Sequence, residues 1–191
     1  MNRQLEFMFE APPAIHIMLD LETMGTKAGC PVVEIGAVVF TLEGGITASF
    51  FERIDIETCH LVGLKSDPAT ETWWEGQGRF AGGGDKFREG QTLEDALRLF
   101  STFVTKQADG DIKRLSIWGN GADFDLPILR AAYTAVDSTE PWGHRSGRCY
   151  RTIKSLPQYA SIQEGAFEGL RHNALNDALH QAVHLIKMLT T

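Results

Sequence analysis

The chain has 191 residues, of which 43% are hydrophobic and 23% charged, a composition typical of a globular protein and not of a disordered one. We predict one domain over residues 1–191, with residues 1–13 as a flexible extension. No apolar run reaches the roughly 20 residues that span a bilayer, so no membrane partner is expected. The net charge of −7 argues against a histone-like protein that holds nucleic acid through a basic surface.

The cysteines and the N-terminus predict a location. The three cysteines form no CxxC pair, which argues against a disulfide framework or a zinc cluster. The first 13 residues show no charged and then apolar signal pattern. Together these features predict a cytoplasmic protein with reduced thiols.

The N-terminal part of the chain predicts three strands. Residues 14–21 form a short, almost wholly apolar run, which is typical of a buried central strand. Residues 31–40 and 46–54 are rich in Val, Ile and Phe and are separated by Gly44 and Gly45, which indicates a hairpin. We therefore predict an antiparallel half-sheet.

Two helices and a glycine-rich segment come next. Asp67 and Pro68 are typical of an N-cap and a first helical turn, and the predicted helix carries Trp73 and Trp74. Residues 76–90 contain six glycines, which predicts a flexible connector; a mobile flap is the alternative. Residues 92–95 (TLED) resemble a capping box, and apolar residues follow at helical spacing.

The remainder of the chain alternates strand and helix. A short strand is predicted over residues 115–118, a helix over residues 125–133 and a clearly amphipathic helix over residues 174–189. The order βββ-α-α-β-α-(β)-α indicates a mixed α/β fold with parallel strands added to the antiparallel half.

A pair of acids ends the first strand. Asp20 and Glu22 point to the same side because side chains alternate along a strand. Two neighbouring carboxylates repel each other unless a cation compensates them, and hard oxygen ligands suit Mg²⁺ or Mn²⁺. Acids at a surface turn are the alternative interpretation.

Two further segments carry candidate residues. The strand over residues 115–118 leads through Asn120 to Asp125 at the start of a helix, where an acid is usually only an N-cap. His172 precedes the last helix, and Asp177 lies in its first turns beside the apolar stripe. Taken alone, each of these two signals is weak.

The three segments in this order resemble the DEDDh 3′–5′ exonucleases, which have an RNase H-like fold. Four stretches are most similar to the bacterial and phage exonuclease VIII-type enzymes. They are residues 19–25 (LDLETMG), 72–74 (TWW), 118–125 (WGNGADFD) and 172–178 (HNALNDA). The resemblance covers residues 15–189 and implies an RNase H-like mixed sheet flanked by helices.

The resemblance implies a site and a reaction. Asp20, Glu22, Asp125 and Asp177 match the carboxylates that bind two Mg²⁺ or Mn²⁺ ions, and His172 matches the general base. The implied reaction is phosphodiester hydrolysis that releases nucleoside monophosphates from a 3′ end of single-stranded DNA or RNA.

The resemblance also implies substrate contacts. Thr23 and Met24 follow the two acids where the family holds the terminal nucleotide, and Asn120 is a candidate hydrogen-bonding partner there. Trp74 or Trp73 is a candidate for stacking on a base, and a buried core position is the expected alternative for at least one of the two. In the middle motif, Asp125 fits the family register better than Asp123. The resemblance is compatible with a homodimer and leaves DNA and RNA open.

Three alternatives compete with this interpretation. One is a catalytically inactive module on the same fold that binds nucleic acid or protein, and another is an RNase H-type endonuclease. The third is a zinc site at His180 and His184, but Gln181 stands where a metalloprotease helix needs Glu. For that pair an exposed helix face is the expected structure.

Overall fold

The computed structural model describes residues 14–77 and 87–191. In that part of the chain, one five-stranded sheet has the order β3-β2-β1-β4-β5. The pairs β1–β2 and β2–β3 are antiparallel, whereas β1–β4 and β4–β5 are parallel. The strands are β1 Ile15–Thr23, β2 Val32–Thr41, β3 Gly45–Arg53, β4 Leu115–Gly119 and β5 Gly147–Cys149.

Six α-helices are formed by the described residues, with short 3₁₀ turns at Ile112–Arg114 and Pro157–Tyr159. Side-chain oxygens of Asp67, Thr92 and Asn173 cap three of the helices by accepting a backbone N–H of the first turn. The helices are α1 Ile56–Leu61, α2 Pro68–Gly76, α3 Leu93–Ala108, α4 Asp125–Ala135, α5 Tyr150–Lys154 and α6 Ala174–Leu189.

The alternation of side chains along β1 divides the core into two layers. Ile17 and Leu19 face a cluster that includes residues of α3 and α4. Met18 faces the opposite cluster, which contains buried residues of α6 and Tyr150 of α5. Asp20 and Glu22 continue the Met18 side, so the two acids of β1 point toward the layer that contains α6.

The parallel strands end near the acids. Met18 pairs with Trp118 near the end of β4, and β1 continues for five residues beyond Met18. The chain after β4 then passes through Asn120 into α4, so its polar residues reach the same edge of the sheet. This is the carboxyl end of the parallel strands, where α/β proteins commonly place their ligands.

Most predicted elements are confirmed within a few residues. The helix over residues 174–189 has the predicted bounds, and the helix from Asp125 extends two residues further than predicted. Helices α1 and α5 were not predicted. The predicted extension over residues 1–13 and most of the glycine-rich segment over residues 76–90 lie outside the described residues. Within the described ranges, no helix combines the length and apolar character needed to cross a membrane.

Candidate active site

Three carboxylates meet at the edge of the sheet. Carboxylate oxygens of Asp20, Glu22 and Asp177 all lie within 4.8 Å of one another. Two of the acids come from β1 and the third from the first turn of α6. Glu22 is only 8% exposed, so this is not a cluster that water can fully screen.

Gly36 allows α6 to come this close to the strands. It lies opposite Asp20 in the β1–β2 register. A Cβ atom at Gly36 would stand 2.1 Å from the carbonyl carbon of Ala174 and 2.2 Å from the nitrogen of Leu175. The backbone of the first turn of α6 therefore rests directly on β2, which only glycine permits at this position.

Glu34 fixes the beginning of α6 to the same strand. Its side chain is 1% exposed, and its Oε2 accepts hydrogen bonds from the backbone N–H of Ala174 (3.2 Å) and from Nδ2 of Asn173 (3.3 Å). Nε of Arg53 lies 3.6 Å from its other carboxylate oxygen. A carboxylate at a helix N-terminus is favourable, so Glu34 helps to set where α6 begins.

Asp125 reaches the site from the end of β4. It is 1% exposed, and its Oδ2 accepts a hydrogen bond of 2.8 Å from the backbone N–H of Asn120. A Cβ atom at Gly119 would lie 2.9 Å from that oxygen, so glycine leaves room for the carboxylate. Asp123 is exposed. Of the two acids, Asp125 is therefore the one directed into the protein.

Burial raises the pKa values of three of the acids, and neighbouring carboxylates add to this effect at Asp20. Burial, followed by the charges of Asp125 and Glu22, raises the pKa of Asp20 well above its usual value, and a hydrogen bond from Gln181 opposes this. Burial raises the pKa of Asp125 to about 6, against the lowering effect of backbone N–H groups. Burial also raises the pKa of Asp177. A divalent cation would relieve this repulsion.

His172 lies on the chain just before α6. It has a left-handed backbone with φ of 58° and its side chain is half-buried. An electrostatic interaction with His172 lowers the pKa of Asp177, against the larger raising effect of burial. The ring of Trp73 stands edge-on to the imidazole, with 4.9 Å between centroids.

One cleft of about 580 Å³ contains most of these groups. This volume is in the range of small-molecule sites in proteins. Seven of the predicted residues line it: Asp20, Glu22, Asp177, His172, Thr23, Asn120 and Trp74. Asp125 does not line the cleft, although its charge acts on Asp20.

Two of the predicted substrate contacts are buried, although Trp74 also lines the cleft. Met24 is fully buried and packs in a cluster with Val33 and Ile56. Trp74 is 1% exposed, and its indole N–H donates to the carbonyl oxygen of Thr23 at 3.0 Å. Trp74 therefore supports the chain after the acids, whereas Trp73, 43% exposed, presents a surface to the cleft.

The sequence patterns also missed residues that build the site. Gln181 lines the cleft and donates from Nε2 to Oδ1 of Asp20 at 2.8 Å. Its position four residues after Asp177 places both on one face of α6, which is the signal that could have found it. Gly36 and Glu34 gave no such signal, because their roles depend on what packs against β2.

The two histidines of the alternative zinc site contact other groups of the protein. His184 is 3% exposed, so the expectation of an exposed helix face is wrong for this residue. Its Nδ1 lies 2.7 Å from the hydroxyl of Tyr150 and its Nε2 lies 2.9 Å from the carbonyl oxygen of Ile162. Both ring nitrogens are thus used in hydrogen bonds within the protein, and His180 contacts Glu164 at 3.3 Å.

Solved structures similar to this one include a DEDDh nuclease domain, a 3′-exonuclease and a further nuclease. The nuclease domain of 3′hExo, a DEDDh family member bound to rAMP, has a TM-score of 0.62 and 13% identity, over 94% of this chain and 93% of that one. A full-length 3′-exonuclease has a TM-score of 0.60 and 13% identity, over 94% and 83% of the two chains. Cell-death related nuclease 4 (CRN-4) has a TM-score of 0.56 and 12% identity, over 93% and 64%.

The fold is therefore the RNase H-like fold of the DEDDh exonucleases. Residues 15–189 match the model of the Rv2179c-like 3′–5′ exoribonuclease domain. The chain belongs to this family and is a 3′–5′ exonuclease, an enzyme whose substrate is nucleic acid. Among curated proteins, none matches the sequence significantly.

Proposed function

We propose that this enzyme removes nucleoside monophosphates from the 3′ end of single-stranded RNA, with Mg²⁺ or Mn²⁺ as cofactor. The observation that carries the proposal is the set of carboxylate oxygens of Asp20, Glu22 and Asp177 within 4.8 Å of one another in a cleft that His172 also lines. RNA is favoured over DNA because the matching family is described as exoribonucleases. The rAMP bound to 3′hExo is a ribonucleotide, which agrees with this choice.

The residues present fit a pair of divalent cations. Their ligands are hard carboxylate oxygens, which Mg²⁺ and Mn²⁺ prefer. Burial raises the pKa of both Asp20 and Asp177, and the charges of Asp125 and Glu22 raise that of Asp20 further, an environment in which a bound cation would favour the ionised carboxylates. We assign Asp20, Glu22, Asp125 and Asp177 to metal binding. When bound, such ions supply a nucleophilic water and compensate charge on the phosphate and the leaving oxygen.

His172 is proposed as the general base. It lines the cleft with Asp20 and Asp177, on a segment that Glu34 anchors one and two residues further on, at Asn173 and Ala174. A neutral ring nitrogen there accepts the proton of the attacking water. The edge-on ring of Trp73 restricts the orientations open to the imidazole.

The substrate contacts are proposed in a revised form. Asn120 lines the cleft, and its backbone joins Asp125 and the guanidinium of Arg151, whose Nη2 donates to the Asn120 carbonyl oxygen at 2.8 Å. Its side-chain amide is the proposed partner of the terminal nucleotide. Thr23 lines the same cleft, and the exposed ring of Trp73 is the proposed stacking surface for a base.

Three finer assignments remain predictions of the sequence patterns. They are a particular similarity to exonuclease VIII-type enzymes, assembly as a homodimer, and a cytoplasmic location. A single domain over the whole chain is a prediction of the same kind.

End-labelled strands test the proposal directly. RNA and DNA of one sequence, each with a free or a blocked 3′ end, are incubated with the enzyme in Mg²⁺, in Mn²⁺ and in EDTA. We expect stepwise shortening of the free RNA 3′ end that stops in EDTA. Cleavage of a circular strand would instead indicate an endonuclease. Binding without cleavage, unchanged by Asp20→Asn, would indicate an inactive module.

A further inference from the structure

Gln181 is a buried residue of the cleft to which none of the steps above gives a role. It lies on α6 one turn after Asp177 and is 6% exposed. Its Nε2 donates to Oδ1 of Asp20 at 2.8 Å. Its Oε1 is buried and has no hydrogen-bond partner.

The orientation of the amide follows from the chemistry of its neighbour. An ionised carboxylate, the form that binds a cation, only accepts hydrogen bonds, which agrees with the NH₂ group of Gln181 facing Asp20. That leaves Oε1 as an acceptor without a donor. Buried acceptors are almost always satisfied in folded proteins, and Gln181 is among the residues that line the cleft, from which a donor can arrive.

We propose that Gln181 is a positioning residue of the metal site. Its amide holds the Asp20 carboxylate in one orientation, and its Oε1 accepts a hydrogen bond from water that accompanies the cation. The inference rests on the proposed function, because it presumes that Asp20 binds a metal ion. Groups that hydrogen-bond to metal ligands typically contribute 10–100-fold to metal affinity.

Two variants remove both polar groups and keep side-chain bulk, Gln181→Met and Gln181→Leu. Matched controls are Val183→Met and Val183→Leu, which place the same residues on α6 at a position that is 52% exposed. Two replacements are used so that one remains informative if the other does not fold. Circular dichroism in EDTA shows which variants are folded.

The measurement is the Mn²⁺ affinity of the metal-free protein, with free Mn²⁺ counted by electron paramagnetic resonance. For the Gln181 variants we expect a dissociation constant raised by roughly 10–100-fold, and a turnover number that recovers at saturating Mn²⁺. The controls should bind Mn²⁺ like the unmodified enzyme. Unchanged Mn²⁺ affinity in a folded Gln181 variant would overturn the inference. Failure of the unmodified enzyme to bind Mn²⁺ would refute the proposed function instead.

A second observation, independent of the first, concerns a groove beside the cleft. This groove is lined by residues 25–30, Lys65 and Asp67, and three of its residues (Gly25, Thr26 and Asp67) also line the cleft. The backbone N–H of Lys65 donates to the Gly29 carbonyl oxygen at 3.0 Å, which joins its walls. The groove is therefore continuous with the cleft, and a backbone hydrogen bond connects the two segments that line it.

The groove carries positive charge where a polyanion would need it. Lys27 and Lys65 are both exposed, and neither takes part in an ion pair with the residues that the structure describes. Asp67 also lines the groove, where its Oδ1 accepts the backbone N–H of Ala69 at 3.0 Å, so the two lysines outnumber the one acid of the groove. The protein as a whole has a charge of −7, so two such cations beside an acidic cleft are a local exception.

We infer that this lysine groove binds the phosphates of the strand upstream of the scissile bond. The inference also rests on the proposed function, since it needs a strand whose 3′ end lies in the cleft. Each phosphate contact with a single strand changes the slope of log affinity against log salt by about 0.7. Two lysines would therefore account for a slope of about 1.4.

The test compares a long RNA with a dinucleotide, which has no phosphate upstream of the scissile one. In Lys27→Ala/Lys65→Ala we expect a higher KM and a weaker salt dependence for the long RNA, with unchanged dinucleotide hydrolysis. The control is Lys106→Ala/Lys113→Ala, which removes the same charge from two other exposed positions. Equal effects on both substrates, no effect on either, or the same effect in the control would overturn the inference. No hydrolysis of either substrate by the unmodified enzyme would refute the proposed function.

Discussion

Replacing Gly36 with alanine tests how the site is assembled. The new Cβ atom would lie 2.1 Å from the carbonyl carbon of Ala174, where ordinary contacts begin at 3.4 Å. The atoms it meets belong to the backbone, so no side chain can turn away. The beginning of α6 must therefore move by more than about 1 Å relative to β2. Since Asp177 is on α6 and Asp20 lies opposite Gly36, that movement separates the carboxylates.

The expected consequences can be given in magnitude. Overpacking of this kind destabilises a core by typically 1–3 kcal/mol. A displacement of about 1 Å in a catalytic constellation costs on the order of 10²-fold in rate. We therefore expect Gly36→Ala to melt at a lower temperature and to lose about that factor in kcat/KM.

The assay measures kcat/KM and Mn²⁺ affinity well below the melting temperature, so that unfolding does not contribute. Gly165→Ala is the control, because no heavy atom lies within 4 Å of the Cβ it would add. Full activity and Mn²⁺ affinity in a folded Gly36→Ala protein would show that the contact between α6 and β2 does not set the carboxylate geometry.

Three further predictions follow from the acids and the histidine. Asp125→Asn should lose nearly all activity in a steady-state assay, whereas Asp123→Asn, at an exposed position, should retain most of it. His172→Ala should lower turnover by roughly 10²–10⁴-fold and leave Mn²⁺-induced stabilisation largely intact, whereas Asp177→Ala should weaken both. Metal-free protein should gain stability as the pH falls through about 6 toward 4, because the folded-state pKa values of Asp125 and Asp20 are raised above their unfolded values. That gain, measured by thermal melting in EDTA, should be smaller in Asp125→Asn; an equal gain would contradict the coupling of these acids.

The elements that the sequence predicted well are those with strong periodicity. The last helix combines an apolar stripe with a capping asparagine, and β1 is an almost wholly apolar run that ends in acids. Helices α1 and α5 have six and five residues, which is too short for a 3.6-residue period to be recognised. Their formation depends on packing that no local pattern shows.

At the candidate site, the sequence predicted which carboxylates come together better than it predicted which side chains face the cleft. Asp20, Glu22 and Asp177 could be assigned because their residue type carries the function. The environments of Trp74 and Met24 could not be predicted in this way, because neighbouring residues on a helix or loop point in different directions. Only the packed structure shows that Trp74 is inside and Trp73 outside.

The support of the site was the least predictable part. Glu34 and Gly36 lie on the same face of β2 as the acids of β1, yet their partners are more than 130 residues away in sequence. Gln181 likewise contacts Asp20 across 161 positions. Such contacts depend on register and on helix placement, which are tertiary properties.

The acidic character of the chain is consistent with a polyanionic substrate. The carboxylates of Asp20, Glu22 and Asp177 lie together at the cleft, and burial, followed by the charges of Asp125 and Glu22, raises the pKa of Asp20. Without cations this site repels a phosphate, so bound metal and substrate affinity must be coupled. The net charge of −7 therefore describes the metal-free enzyme, and two divalent ions would change it by about +4 at the place where the phosphate lies. Under the proposed function, bound metal ions attract the scissile phosphate. Lys27 and Lys65 attract the phosphates of the strand upstream of the scissile bond.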